Sequence, residues 1–202
     1  DSDGLTNRQE YQGHTHPLGT PRRYFAEGVT SDFFSTRFAL FNPSPEHTNV
    51  LVRFETSDGT VLTTWRVLDG FQRQTLDVTS VPGMERAQFA TRIEAGRDVV
   101  IDRTASWDAS RYGAHADGGV RLPGQRWIFA EGATHSGFDL FYLLENPADT
   151  ATTVTIEFLR PGGQDVITRT YPLGPHKRET VWVNKVDPLL AWTDVSAVVT
   201  TT

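Results

Sequence analysis

Two glutamates occupy near-identical surroundings. Glu27 lies in Tyr-Phe-Ala-Glu-Gly-Val-Thr (24–30) and Glu131 in Ile-Phe-Ala-Glu-Gly-Ala-Thr (128–134), 104 positions downstream. A duplicated carboxylate invites an acid–base reading, because glycosidic bond cleavage runs on two carboxyl groups held at a defined separation. That chemistry needs a second acid or a nucleophile, and no candidate repeats along with the glutamates. No G-x-S-x-G elbow, H-E-x-x-H, P-loop or G-x-G-x-x-G occurs either. Glu27 and Glu131 are therefore expected to be turn carboxylates that accept hydrogen bonds from backbone amides or an arginine. Gly28 and Gly132 are expected to supply the backbone freedom of the turn. The chain is not expected to be an enzyme.

Three other groups could do chemistry. Trp107, Asp108, Arg111, Tyr112 and His115 crowd one short stretch, and such aromatic and polar mixtures line sugar-binding grooves. The plainer reading is a strand-to-loop corner in which Trp107 packs, Asp108 caps the turn and His115 ties a strand end through its ring nitrogens. His14 and His16 could share a metal on an extended segment. With Pro17 beside them and no third ligand nearby, a solvated loop is favoured. The third group is Asp1-Ser-Asp3-Gly4-Leu5-Thr-Asn7-Arg-Gln-Glu10. Setting Gly4 at position 6 of an EF-hand loop puts Asp1, Asp3, the Leu5 carbonyl, Asn7 and Glu10 at positions 3, 5, 7, 9 and 12. Position 1 alone is missing, so calcium is the cofactor to expect.

Composition narrows the classes. The 202 residues fit one large domain or two of about 100. A net charge of −6 offers no basic footprint for nucleic acid. No run approaches the roughly 18 apolar residues of a membrane span, so membrane insertion is not expected. There is no cysteine, which excludes disulfides and thiolate sites. No signal peptide opens the chain, and a start at Asp1 is what a mature or excised fragment would show.

The elements that must position these residues come as a repeat. Sliding the chain by 104 matches Phe33–Pro43 to Gly137–Pro147 and the strand around Val50, Val52 and Phe54 to Val154, Ile156 and Phe158. On this alignment Gly70 falls on Gly174. After one inserted residue, residues 75–78 meet 180–183 and Ala87–Ala95 meets Trp192–Thr200. The conserved positions alternate with a period of two, which marks half-buried strands with Arg53 and Glu55 outward. Ser57-Asp58-Gly59 and Pro161-Gly162-Gly163 are hairpin turns, and Asn42-Pro43 and Asn146-Pro147 each close a strand. Val81-Pro82-Gly83 and Val186-Asp187-Pro188 are each expected to be followed by one helical turn. Trp65, Trp182 and Trp192 are assigned to cores or inter-domain contacts. Copy two stops near the equivalent of residue 97, so its sheet lacks one or two strands and exposes an edge. Another segment, a next copy or a neighbouring molecule is expected to pair with it.

The aromatic-Phe-Ala-Glu-Gly opening, the Asn-Pro, and Trp107-Asp108 through Tyr112-Gly113-Ala114-His115-Ala116 resemble the "WYFAEG" tandem repeats of bacterial secreted and surface proteins, over roughly residues 22–202. The resemblance implies an extracellular, array-like setting. Asp1–Tyr11 also resembles bacterial thrombospondin type 3 linkers, which bind calcium between domains of secreted proteins. His14-Thr15-His16-Pro17 departs from that pattern. A rival reading makes Tyr11-x-x-His14 the tail of an earlier repeat.

The expectation is an all-β chain: a calcium-linker-like segment (1–20) and two tandem Ig-like β-sandwich modules (21–121 and 122–202), the second lacking the last strands of the first. The expected function is a non-catalytic structural, adhesion or interaction module of a larger secreted or cell-surface bacterial protein, with a protein or glycan partner. The alternative is a carbohydrate- or peptide-binding module, accessory to a secreted hydrolase, using Trp107–His115.

Overall fold

The computed structural model describes residues 6–13, 16–17, 22–108, 110 and 113–202. The chain is mostly antiparallel β-strand and divides into two compact units, Asp1–Leu122 and Pro123–Thr202.

Unit 1 begins with a short helix, α1 (Asn7–Gly13). Thr6 and Gln9 start it reciprocally: the Gln9 amide donates to Thr6 Oγ1 at 3.3 Å and the Thr6 amide to Gln9 Oε1 at 2.8 Å. This is a capping box, satisfying donors that the first helical turn leaves unpaired. The strands are β1 (Arg22–Phe25), β2 (Val29–Thr30), β3 (Phe34–Phe41), β4 (Thr48–Thr56), β5 (Val61–Leu68), β6 (Arg73–Asp77), β7 (Ala87–Ala95), β8 (Val100–Trp107) and β9 (Gly113–Asp117). One sheet runs β1-β7-β4-β5 with β2 beside β7, and the other runs β6-β3-β8-β9. Alternation puts Val50, Val52 and Phe54 of β4 and Ile93 of β7 on one side of the first sheet. Phe38 and Leu40 of β3 and Ile101 of β8 lie on one side of the second. All of them meet in a single core.

The outer face of β4 is not solvated as its sequence suggests. Arg53 and Glu55 are buried and paired at 3.0 Å, and Arg92 pairs with buried Glu94 on β7. The segment before β1 contributes to this cover. Arg53 Nη1 donates to the Gly13 carbonyl at 3.3 Å, and the His16 amide donates to Glu94 Oε2 at 2.6 Å. His16 is therefore buried, against the expectation of a solvated loop. Its Nε2 lies 3.1 Å from the Asn49 carbonyl and its ring centroid 5.2 Å from that of Trp65.

Unit 2 repeats the plan with fewer strands: β10 (Arg126–Phe129), β11 (Phe141–Asn146), β12 (Thr152–Leu159), β13 (Ile167–Leu173), β14 (Lys177–Trp182) and β15 (Ser196–Thr201). A four-stranded sheet runs β10-β15-β12-β13, while among the described residues β11 pairs only with β14. Tyr142, Leu144, Val154, Ile156, Phe158 and Val181 share its core.

Strand register corrects the sequence alignment. Phe54 faces Leu62 in unit 1, and Phe158 faces Ile167 in unit 2. The first extra residue of copy two therefore lies in the β12–β13 turn, and Gly174 takes the place of Asp69 rather than of Gly70. Gly70 has its own reason: a Cβ there would meet the Pro45 carbonyl oxygen at 2.0 Å. Val52 faces Ile93, and Ile156 faces Val199. A second extra residue therefore precedes buried Leu190, the counterpart of Met84, and β7 matches residues 193–201. A one-residue slip would have turned every side chain of that strand to the wrong face. The helical turns match expectation only in part, Pro188–Leu190 of unit 2 falling where one was expected. In unit 1 the turn is Val78–Ser80, ahead of Val81, and unit 2 has two, Val183–Lys185 and Pro188–Leu190. Trp65, Trp182 and Trp192 are exposed rather than in a core, because Trp65 and Trp182 fall on the outward phase of their strands and Trp192 lies in a loop.

Candidate functional site

Arg103 organises the polar cluster of unit 1. It stands on β8 in the inward phase, between Ile101 and Ala105, and is 1% exposed. A guanidinium in that position must find acceptors, because burying an unpaired charge is prohibitive. Its Nη1 donates to the Glu27 carbonyl at 2.5 Å, and its Nη2 donates to Glu27 Oε2 at 2.6 Å and Asp117 Oδ2 at 2.5 Å. His115 Nε2 lies 2.7 Å from the same Nη2 and 2.9 Å from Glu27 Oε2. Thus β8 and β9 close over the Phe-Ala-Glu-Gly turn through one cation and two carboxylates.

Glu27, His115 and Asp117 have the composition of a metal-ligand group, their ligand atoms all lying within 4.8 Å of one another. The positive charge among them is already the Arg103 guanidinium, so a divalent ion there would face like-charge repulsion.

The glycine of the motif is required by space. Neither Gly28 nor Gly132 has a positive φ, which corrects the expectation of backbone freedom. A Cβ on Gly28 would lie 2.2 Å from the Phe89 ring, and one on Gly132 would lie 2.7 Å from Leu140 Cδ2. Their carbonyls do equivalent work, accepting from the Phe89 amide at 2.9 Å and the Val195 amide at 2.8 Å.

Glu131 has no such clamp. It is exposed, and among the described residues it makes no hydrogen bond or ion pair. Among the described residues unit 2 has no strands at the places of β8 and β9, which in unit 1 carry Arg103, His115 and Asp117.

Trp107 ends β8, its indole so close over Gly113 that a Cβ there would meet Nε1 at 1.9 Å; its ring centroid lies 6.1 Å from that of His115. Asp108 takes a left-handed φ of 65° in the turn and its Oδ1 accepts from Ser110 at 2.6 Å. Arg111 and Tyr112 lie outside the described residues, as do His14 and the expected calcium ligands Asp1, Asp3 and Leu5. Of that set, Asn7 opens α1 and is exposed, whereas Glu10 is buried within it.

The asparagine of each Asn-Pro does more than end a strand. Asn42 Nδ2 donates to the carbonyls of Glu46, Leu68 and Asp69 at 2.7, 3.3 and 3.0 Å. Asn146 Nδ2 repeats this with Thr150, Leu173 and Gly174 at 2.8, 3.2 and 3.0 Å. Arg103, Asp117 and these staples escape sequence reading. The visible signal for Arg103 is an arginine in the apolar phase of Val99-x-Ile101-x-Arg103-x-Ala105.

The site defines a mostly β chain in which the cluster around Glu27 is an internal lock. No family model matches the chain, and no curated protein matches it. Among solved structures it is similar to Thermotoga maritima 1070, at 12% identity over 52% of this chain and 97% of that one, with a TM-score of 0.47. That likeness is too distant to bear on function.

Proposed function

We propose that the chain is a non-catalytic structural and interaction segment of a larger secreted or cell-surface bacterial protein, built from two tandem Ig-like β-sandwich modules. One observation carries this reading: the repeated glutamate, the best candidate for chemistry, is bound in unit 1 by the buried Arg103 rather than presented to a substrate. A carboxylate spent on holding two strands over a turn is a fastener. The extracellular setting rests on the sequence resemblance, and a calcium-bound linker ahead of α1 would stiffen the approach to the first module.

The chain is to be assayed against chromogenic esters, glycosides and peptides, with Glu27→Gln and Glu131→Gln as controls. No turnover is expected. Turnover abolished by either substitution would contradict the reading. The carbohydrate-binding alternative has Trp107 beside His115 in its favour, and a glycan array with Trp107→Ala decides it. For calcium, titration calorimetry on a chain extended upstream by several residues should release or absorb heat on binding, and silence removes the linker proposal.

A further inference from the structure

We propose that the segment from α1 to His16 is a proton-released clasp on unit 1. Acidification lifts it off the outer face of β4 and β7 and leaves the core beneath folded. The device is independent of the chain's wider role.

The clasp is held at few points. The His16 amide donates to Glu94 Oε2 at 2.6 Å, its Nε2 donates to the Asn49 carbonyl at 3.1 Å, and its ring lies against Trp65. Arg53 Nη1 donates to the Gly13 carbonyl at 3.3 Å, and Glu10 of α1 is buried. A helix of seven residues is marginal in water on its own, so α1 persists only while docked. The hydrophobic core of unit 1 takes no described residue of the segment.

The face underneath is suited to being uncovered. Arg53 pairs with Glu55, and Arg92 and Arg22 both pair with Glu94, so these charges keep partners within the sheet when the segment leaves. Water solvates such pairs readily, whereas baring an apolar face costs about 25 cal/mol per Å². In unit 2 the register puts Glu157 and Leu159 at the places of Arg53 and Glu55, and Val198 and Thr200 at those of Arg92 and Glu94. Paired arginine and glutamate thus mark the unit that carries the clasp.

His16 supplies the trigger. With the Nε2 proton given to the Asn49 carbonyl, a second proton goes to Nδ1 and makes an imidazolium in a position 3% exposed. Burial opposes that charge and holds the pKa below its ordinary value, while the Asn49 carbonyl and Glu94 act the other way. Glu94, facing His16 from β7, is already engaged by the Arg92 and Arg22 guanidiniums. From β4 comes Arg53, paired with Glu55, from β5 the uncharged Trp65, and from α1 the buried Glu10. Acid therefore favours the undocked segment, whose imidazole is wet. Below the ordinary histidine pKa of about 6.5 the docking equilibrium falls up to about tenfold per pH unit, until the docked ring also protonates.

Backbone order parameters from NMR relaxation of the intact chain, at pH 7 and pH 5, test this. At pH 7 residues 7–13 should match β4 at about 0.85; at pH 5 they should fall below about 0.6 while β4 and β7 keep their values. His16→Gln, whose side-chain amide still donates to the Asn49 carbonyl, should stay docked at both. Trp65→Ala removes an exposed ring and its contact, so it should fold and release at a higher pH than the parent. A segment still rigid at pH 5 overturns the proposal, as does one already mobile at pH 7. Loss of order in β4 together with α1 overturns it too, being unfolding of the unit rather than release of a clasp. So does release of His16→Gln at pH 5, which assigns the trigger to another group. If His16→Gln does not dock at pH 7, Trp65→Ala carries the test, and a release pH no higher than the parent's overturns the proposal.

Discussion

Unit 1 and unit 2 start from one plan and end in different states. Both place an asparagine under equivalent carbonyls, both pack an aromatic pair beneath the first strand, and both use a glycine carbonyl to receive an equivalent amide, Phe89 of β7 or Val195 just before β15. Among the described residues, only unit 1 has strands at the places of β8 and β9, and with them the arginine that turns an acidic turn into a lock. The same Phe-Ala-Glu-Gly sequence is thus a closed joint in one place and an open one in the other. A motif's role is set by the strands that reach it, not by its own residues.

The comparison can be broken most forcefully at Arg103. Arg103→Met should destabilise unit 1 by about 3 kcal/mol, since it leaves Glu27 and Asp117 sharing a site without their cation. Chemical denaturation followed on unit 1 resonances checks this, and unit 2 resonances should keep their midpoint. A shared feature is the control. Asn42→Ala and Asn146→Ala should each cost about 2 kcal/mol in their own unit, because each strands several carbonyls. A large difference between the two would undo the claim of a common plan. The lock itself is sharpened by Glu27→Gln, expected to cost about 1–2 kcal/mol through the weaker neutral hydrogen bond. Glu131→Gln should stay within about 0.5 kcal/mol of the parent, as exposed substitutions do.

The smallest effect concerns the cover on the outer face of unit 1. Burial holds the His16 pKa below its ordinary value, opposed by its bond to the Asn49 carbonyl and by Glu94. The unfolded chain therefore binds the proton more readily than the folded one. Stability of unit 1 should be full above the ordinary histidine pKa of about 6.5 and fall as pH drops below it. Denaturant midpoints between pH 7 and pH 5 measure the slope, which His16→Gln should flatten.

How much of this was legible in the sequence follows from what repeats locally. The strands around Val50 and Val154 show because period-two burial is written in consecutive residues. Register did not show. The two extra residues sit in turns, where sequence carries little constraint, and only the hydrogen bonding of β4 with β7 and of β12 with β15 reveals that residues 193–201 correspond to β7. Burial of Arg53, Glu55 and His16 was hidden for another reason: their cover comes from a segment far away in sequence, and a period of two says which residues share a face but not whether that face is wet. Glu27 could be read as a turn carboxylate, whereas Arg103, 76 positions away, could be found only by asking why an arginine interrupts an apolar phase.

Amide hydrogen exchange on the isolated chain, comparing β3 with β11, tests the central claim most directly. In antiparallel strands successive amides point to opposite neighbours. Amides of β3 should be protected throughout, whereas in β11 only those facing β14 should be slow and the alternate ones should exchange like solvent-exposed groups. Uniform protection along β11 in a monomeric chain would contradict the account, because the open joint of unit 2 would then be closed.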